Sequence, residues 1–146
     1  MPLRGFASRP LQDRYLNEAA LVVTATRAHR AECVQMAPSA VGRCFTLRQL
    51  SRLATVVERD GLAPALSVSP CAGPAAAAAR LSLDRVSARL GALVAAMPAA
   101  RGPTQPVGAV DDDLADPVLA GPDAFAACAD TVSALLEPVL RLIAGP

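Results

Sequence analysis

The stretch from Ala19 to Arg30, A-A-L-V-V-T-A-T-R-A-H-R, constrains the fold more than any other. Leu21-Val22-Val23 is a short, uninterrupted aliphatic and β-branched run, the pattern of a strand covered on both faces. It ends at Thr24-Ala25-Thr26 and passes directly into a charged segment of helix-forming residues. A strand, a small hydroxyl-bearing turn and a helix make half of a βαβ unit. Ligands in open α/β sheets bind at the carboxyl ends of such strands, which places Thr26 and its followers at the edge of any site.

The chain has 146 residues, enough for one domain with a real core and too few for two. Hydrophobic residues make up 53%, but many are alanines and aromatics are only 3%, so Leu, Val and Ile must carry the burial. A net charge of +1 with no sustained basic block argues against a nucleic-acid partner, while a small anionic substrate needs only local positive charge. Arg, Asp or Pro interrupts every apolar run before membrane-span length, so no membrane partner is expected. The first six residues lack the apolar core of a signal peptide, and the expected location is cytoplasmic. Cys33, Cys44, Cys71 and Cys128 show no C-x-x-C spacing; they read as small buried or half-buried thiols, with no metal and no cofactor expected.

Residues 1–9 read as an irregular leader. Pro10 suits a first helical turn, and Leu11 to Ala19 suits a short helix with Leu11, Tyr15 and Leu16 on one face. After the strand at about 20–25, Arg27 to Met36 reads as a helix with Thr26 as its N-cap and Pro38 past its end. Arg43 to Leu47 reads as a second strand, and Leu47 to Val57 as a helix with Leu47, Leu50, Leu53, Ala54 and Val57 inward, stopped at Gly61. Residues 62–73 are loop-like. Ala75 to Met97 reads as a long Ala-rich helix, with Leu81, Val86, Leu90 and Leu93-Val94 as its stripe and Pro98 as its terminator. A Pro/Gly linker spans 99–110. The acidic loop V-D-D-D-L-A-D-P follows, and then a last helix from Pro122 to about Ile143, with Phe125, Cys128, Val132, Leu135, Leu136, Val139 and Leu142 inward and a bend at Pro138. Two strands alone do not make a self-sufficient sheet.

The chain has no G-x-G-x-x-G, Walker loop, G-x-S-x-G or H-E-x-x-H. His29, the single histidine, reads as a helix-surface residue rather than a general base. The run Asp111-Asp112-Asp113 by itself reads as a solvated turn or a cap. Asp116-Pro117 differs, because proline restricts the residue before it to extended geometry and so fixes the direction of the Asp116 carboxyl. A carboxylic acid aimed from a loop at a sheet's carboxyl edge suits protonation of a leaving group.

The run R-P-L-Q-D-R-Y-L-N-E-A-A-L-V-V-T-A-T-R-A-H-R-A-E-C-V-Q-M-A-P, followed by R-C-F-T-L-R-Q-L-S-R-L, resembles the middle of low-molecular-weight protein tyrosine phosphatases. It is most similar to the bacterial branch, in which a D-L-V-L strand precedes M-T-R-x-H-R and then F-T-L-R-E. The acidic D-D-D-L-A-D-P before a terminal helix resembles that family's D-P loop. These landmarks cover roughly residues 9–60 and 110–143. The resemblance implies an α/β fold of flavodoxin-like order with a four-stranded parallel sheet flanked by helices. It also implies metal-free hydrolysis of a phosphotyrosine protein or small phosphate ester through a cysteinyl-phosphate. Asp116 is the implied general acid, with Pro117 behind it.

The family's nucleophile lies in a C-x5-R-[S/T] loop, and no cysteine of this chain has arginine six residues later: Cys33 meets Ser39, Cys44 Leu50, Cys71 Ala77 and Cys128 Ala134. A thiolate without converging N–H groups and that arginine is neither activated nor able to bind phosphate. The acidic residue the family carries before L-V-L is Ala20 here, and the aromatic after D-P is Val118. The expectation is a single truncated phosphatase-like domain over 1–146 that lacks the first two strands: a strand/helix core at 9–60, the Ala-rich helix at 75–97, and the D-P loop with the last helix at 110–146. Its 20–25 strand then presents an apolar edge for self-association. Two readings follow: a catalytically incomplete phosphatase relative, or a non-catalytic helix-rich interaction module that keeps a remnant of the fold. A third treats the chain as an unrelated helical protein.

Overall fold

A computed structural model describes residues 9–62, 75–101, 112–118 and 120–144, with side chains of its long central helix described from Leu83 onward. In chain order the elements are α1 (Asp13–Glu18), β1 (Val22–Thr24), α2 (Arg27–Met36), a 3-10 turn at Pro38–Ala40, β2 (Cys44–Thr46), α3 (Leu47–Arg59), α4 (Ala75–Ala100) and α5 (Pro122–Ala144). The protein is mixed α/β and mostly helical. Among the described residues its sheet has two strands, β1 and β2, paired in parallel with Val22 opposite Cys44, Val23 opposite Phe45 and Thr24 opposite Thr46. A parallel pair requires a crossover, and α2 with the 3-10 turn supplies it.

The sheet separates two apolar clusters. Phe45 joins Leu50, Leu53, Ala54, Val56 and Val57 of α3, Leu93, Met97 and Ala100 of α4, and Val139 of α5. Cys44 points the other way, into a smaller cluster with Leu16, Cys33, Ala37 and Ala40. Successive strand residues face opposite sides, so a three-residue strand serves both cores. Every residue of β2 is buried.

The sequence pattern misplaces the most buried strand. Leu21 packs against the larger cluster and Val22 against the smaller, but Val23 is 43% exposed. The strand covered on both faces is therefore β2, whose run Cys44-Phe45-Thr46 looks weaker as sequence than Leu21-Val22-Val23. Three-residue windows carry too little pattern to rank two strands.

The helices follow their caps closely. The Thr26 side chain accepts a hydrogen bond from the His29 N–H (3.1 Å), and the Thr46 side chain accepts one from the Gln49 N–H (3.2 Å). Each hydroxyl satisfies one of the amides that a helix start leaves without a partner. α3 runs two residues beyond the predicted Val57, to Arg59. Gly61 then takes a positive φ of 61° and the Leu62 N–H bonds back to the Val57 carbonyl (3.0 Å). That left-handed stop favours glycine.

Four expectations are corrected. The first helix starts at Asp13, leaving Leu11 outside it and 49% exposed, while Tyr15 is 41% exposed, so Leu16 alone is buried on α1. Pro98 does not terminate α4, which continues to Ala100. Met97 and Ala100 are fully buried, and their packing holds a last turn that lacks one backbone donor. Val86 (41% exposed) lies off the buried face of α4, and Phe125 (52% exposed) off that of α5; no described element covers either. Residues 99–100 of the expected linker at 99–110 belong to α4, while residues 1–8 of the expected leader, 63–73 of the expected loop at 62–73, 102–110 of the linker and the Leu81 and Cys71 side chains lie outside the described residues.

Between α3 and α5 the polar layer is an exposed link, with the Arg141 Nε and Nη2 atoms donating to the Glu58 carboxylate at 3.1 and 3.2 Å. Such exposed pairs contribute little. Stability resides instead in the cluster around Phe45. Phe45→Ala is expected to cost about 3–5 kcal/mol in urea denaturation, whereas Val23→Thr, at a position left 43% exposed, should stay within roughly 0.5 kcal/mol of wild type.

Candidate functional site

The carboxyl end of β1 carries the convergence that the βαβ pattern predicts. Thr24 Oγ1 donates to the Thr26 carbonyl (3.1 Å) and lies 3.3 Å from the Phe45 carbonyl, tying the strand end to its neighbour. From the far end of the chain the acidic loop comes to the same place. The Leu114 N–H donates to the Ala25 carbonyl (2.9 Å), and Asp113 Oδ1 accepts from the Arg27 N–H (2.7 Å).

Asp113 therefore caps a helix 86 residues earlier in the chain. With Thr26 it satisfies two of the amides at the start of α2, and its charge lies at the helix end that favours an anion. Arg48 Nε donates to the Asp113 carbonyl (3.2 Å), linking the loop to α3. The Arg52 Nη2 atom lies 2.5 Å from the buried Asp112 Oδ1, but without the alignment of a hydrogen bond, so this contact acts as an ion pair alone. Of the expected solvated turn or cap, Asp112 is buried instead of solvated, Asp113 is a cap, and Asp111 lies outside the described residues.

Asp116 sits two residues beyond the Leu114 anchor, exposed, with its Oδ1 accepting from the Val118 N–H (3.0 Å). That local turn fixes the carboxylate's orientation. Val118 beside it is 65% exposed. His29 is exposed on α2, where its backbone N–H serves the Thr26 cap. Sequence reasoning singled out Asp116 and passed over Asp112, Asp113, Arg48 and Arg52. A charged triplet looks alike whether it is solvated or docked, and only the tertiary fold separates the two.

Beneath the sheet lie two free thiols, Cys33 and Cys44, both buried. Burial pushes the Cys44 thiol above its ordinary value of 9.0, and Cys33 beside it adds to the rise while Arg30 opposes it. Arg30 Nε also donates to the Cys44 carbonyl (2.7 Å). A thiol held protonated in this way is a packing group and a poor nucleophile. Among the described residues, no group of three His, Cys, Asp or Glu side chains could hold a metal ion, and no helix is long and apolar enough to cross a membrane.

No family model, curated protein or solved structure matches this chain.

The geometry of this region predicts two outcomes. Asp113→Ala should destabilise the fold by about 1 kcal/mol through loss of the α2 cap, with Asp113→Asn retaining most of that contribution; denaturation midpoints measure both. The second outcome concerns alkali. Because the folded Cys44 thiol keeps its proton to higher pH than the unfolded one, the folded chain binds more protons above about pH 9, and stability must fall as pH rises through that range. Denaturation measured between about pH 8 and pH 10 should show this decline, and Cys44→Ala should flatten it.

Proposed function

We propose that this chain carries the acid-bearing part of a phosphatase-like site, akin to the low-molecular-weight protein tyrosine phosphatases, and does not hydrolyse phosphate esters by itself. The observation that carries this reading is the docking of the 112–118 loop at the carboxyl end of β1, through Leu114 to Ala25 and Asp113 to Arg27. An acid loop of this kind has to reach that edge to meet a bound phosphate ester. Within the reading, Asp116 is the group that would protonate a departing phenolate and then activate water. Its partner, a thiolate cradled by a C-x5-R-[S/T] loop, is absent from the sequence. A phosphotyrosine protein or a small phosphate ester is the substrate class once such a loop is supplied.

A second reading, a non-catalytic interaction module, draws on a different observation. Among the described residues β1 pairs only with β2, and Val23 is 43% exposed upon it. A strand with an unpaired edge is a template for another chain. The low-molecular-weight phosphatase fold, with its longer parallel sheet, would fill that edge.

The chain alone is expected to give no turnover of p-nitrophenyl phosphate above buffer; activity that disappears in Asp116→Asn would overturn its catalytic incompleteness. A fusion supplying a strand, C-x5-R-[S/T] loop and helix ahead of residue 9 tests the acid directly. In that fusion Asp116→Asn should lower kcat on phosphotyrosine by roughly a hundredfold, and Asp113→Asn should not. Equal activity of the fusion and its Asp116→Asn form would remove Asp116 from the proposed role.

A further inference from the structure

All fourteen basic residues of this chain are arginines, nearly balanced by thirteen acidic ones. Four of those arginines, Arg27, Arg30, Arg52 and Arg101, line one cavity of about 480 Å³ between α2 and α3, and among the described residues that line it only Asp112 is acidic. In a protein of net charge +1 this is a local concentration of positive charge. The size falls within the range of small-molecule sites.

The arginines are held in different ways. Arg30 is fixed through its Nε bond to the Cys44 carbonyl. Arg52 is paired with buried Asp112. Arg101 lies over the Phe45 ring, 5.4 Å from its centroid. The Arg27 guanidinium is exposed and forms no hydrogen bond or ion pair with another described residue, although the Arg27 backbone N–H is bound by Asp113. Several like charges around one cavity repel one another, and a multiply charged anion is the ligand that relieves this. Guanidinium groups also match phosphate oxygens in geometry, donating through paired N–H groups.

We propose that this cavity binds a small organic phosphate ester, its dianionic phosphate held by Arg27 together with Arg30 and Arg101, and its organic body against Ala28, Ala31 and Leu53. Gln49 and Thr46, also on the lining, offer neutral polar contacts. The volume equals that of more than about ten liquid waters, so a phosphate group occupies only part of it and the apolar lining has room for the remainder. Asp112 sets selectivity in the same cavity: it neutralises Arg52 and disfavours a ligand with negative charge spread along its whole length. The proposal does not rest on the phosphatase reading, because the cavity requires neither Asp116 nor a cysteine nucleophile.

Titration calorimetry of the whole chain at low ionic strength tests it, using phenyl phosphate and inorganic phosphate as probes. Phenyl phosphate should bind saturably and more tightly than inorganic phosphate. Arg27→Gln, at an exposed position that leaves the fold intact, should weaken it by about tenfold, and Arg27→Lys should weaken it less. Arg14→Gln, an equal charge change on α1, and Asp116→Asn should both leave binding unchanged. Loss in Arg14→Gln equal to that in Arg27→Gln would reduce the effect to overall charge and overturn the site. So would the absence of saturable phenyl phosphate binding, and inorganic phosphate binding as tightly as the ester would refute the organic subsite. Arg52→Gln is unsuited to the test, because it would strand the buried Asp112 carboxylate without its counter-charge.

Discussion

The double-sided burial of β2 is the constraint on which the rest of this fold depends. Phe45 closes the three-helix cluster of α3, α4 and α5, while Cys44 closes the smaller cluster under α2. A strand this short forms few ladder bonds, so packing on its two faces, rather than pairing with β1, fixes its place. Thr46 then ends the strand and caps α3 with the same side chain, so α3 starts from a buried, oriented residue. The direction of α3 in turn sets where α4 and α5 can lie, because both pack on its apolar face.

The end of β1 depends on a different kind of interaction. The Ala25 carbonyl just past it accepts a hydrogen bond from a loop distant in sequence, and the start of α2 is completed by an aspartate from that loop. Neither partner is satisfied alone: α2 would begin with an open amide, and the loop would have to solvate two adjacent carboxylates. Arg48 and Arg52, both on α3, bind the loop from the other side. The acidic segment thus acts as a polar clamp between the start of α2 and the side of α3. Its exposed tip, with Asp116, is carried on a base that the clamp holds in place.

Much of this was legible in the sequence where local chemistry decides the outcome. The span Arg27–Met36, the Thr26 cap and the inward face of α3 follow from cap residues and helical spacing, and the structure bears them out. Positions decided by tertiary packing were not legible. Val23 is as apolar as Val22, and it is the packing of the described elements, not local pattern, that leaves it 43% exposed. Pro98 is an ordinary stop signal, overridden because Met97 and Ala100 on either side of it are fully buried. Of the acidic residues, Asp116 stood out through the proline after it, whereas the structural roles of Asp112 and Asp113 arise from arginines and an amide that are far away in sequence.

The same separation in sequence bears on how positive charge can accumulate in a nearly neutral chain. Arg27 and Arg30 lie one turn apart on α2, Arg52 is on α3, and Arg101 follows the end of α4; no two of the three segments are neighbours in sequence. Each arginine beyond the first raises the electrostatic cost of the cavity, and a fold selected only for stability would disperse such charges or match each with a carboxylate. Among the described residues Asp112 meets Arg52, and Arg101 lies over the Phe45 ring. Clamping the acidic loop accounts for Arg48 and Arg52, and the bond to Cys44 accounts for the position of Arg30. The Arg27 guanidinium has no such task among the described residues, although its backbone amide is part of the clamp. A guanidinium that has no partner among the described residues, set beside a cavity lined by other arginines, is a charge that a bound anion would stabilise, and the proposed anion site follows from that imbalance.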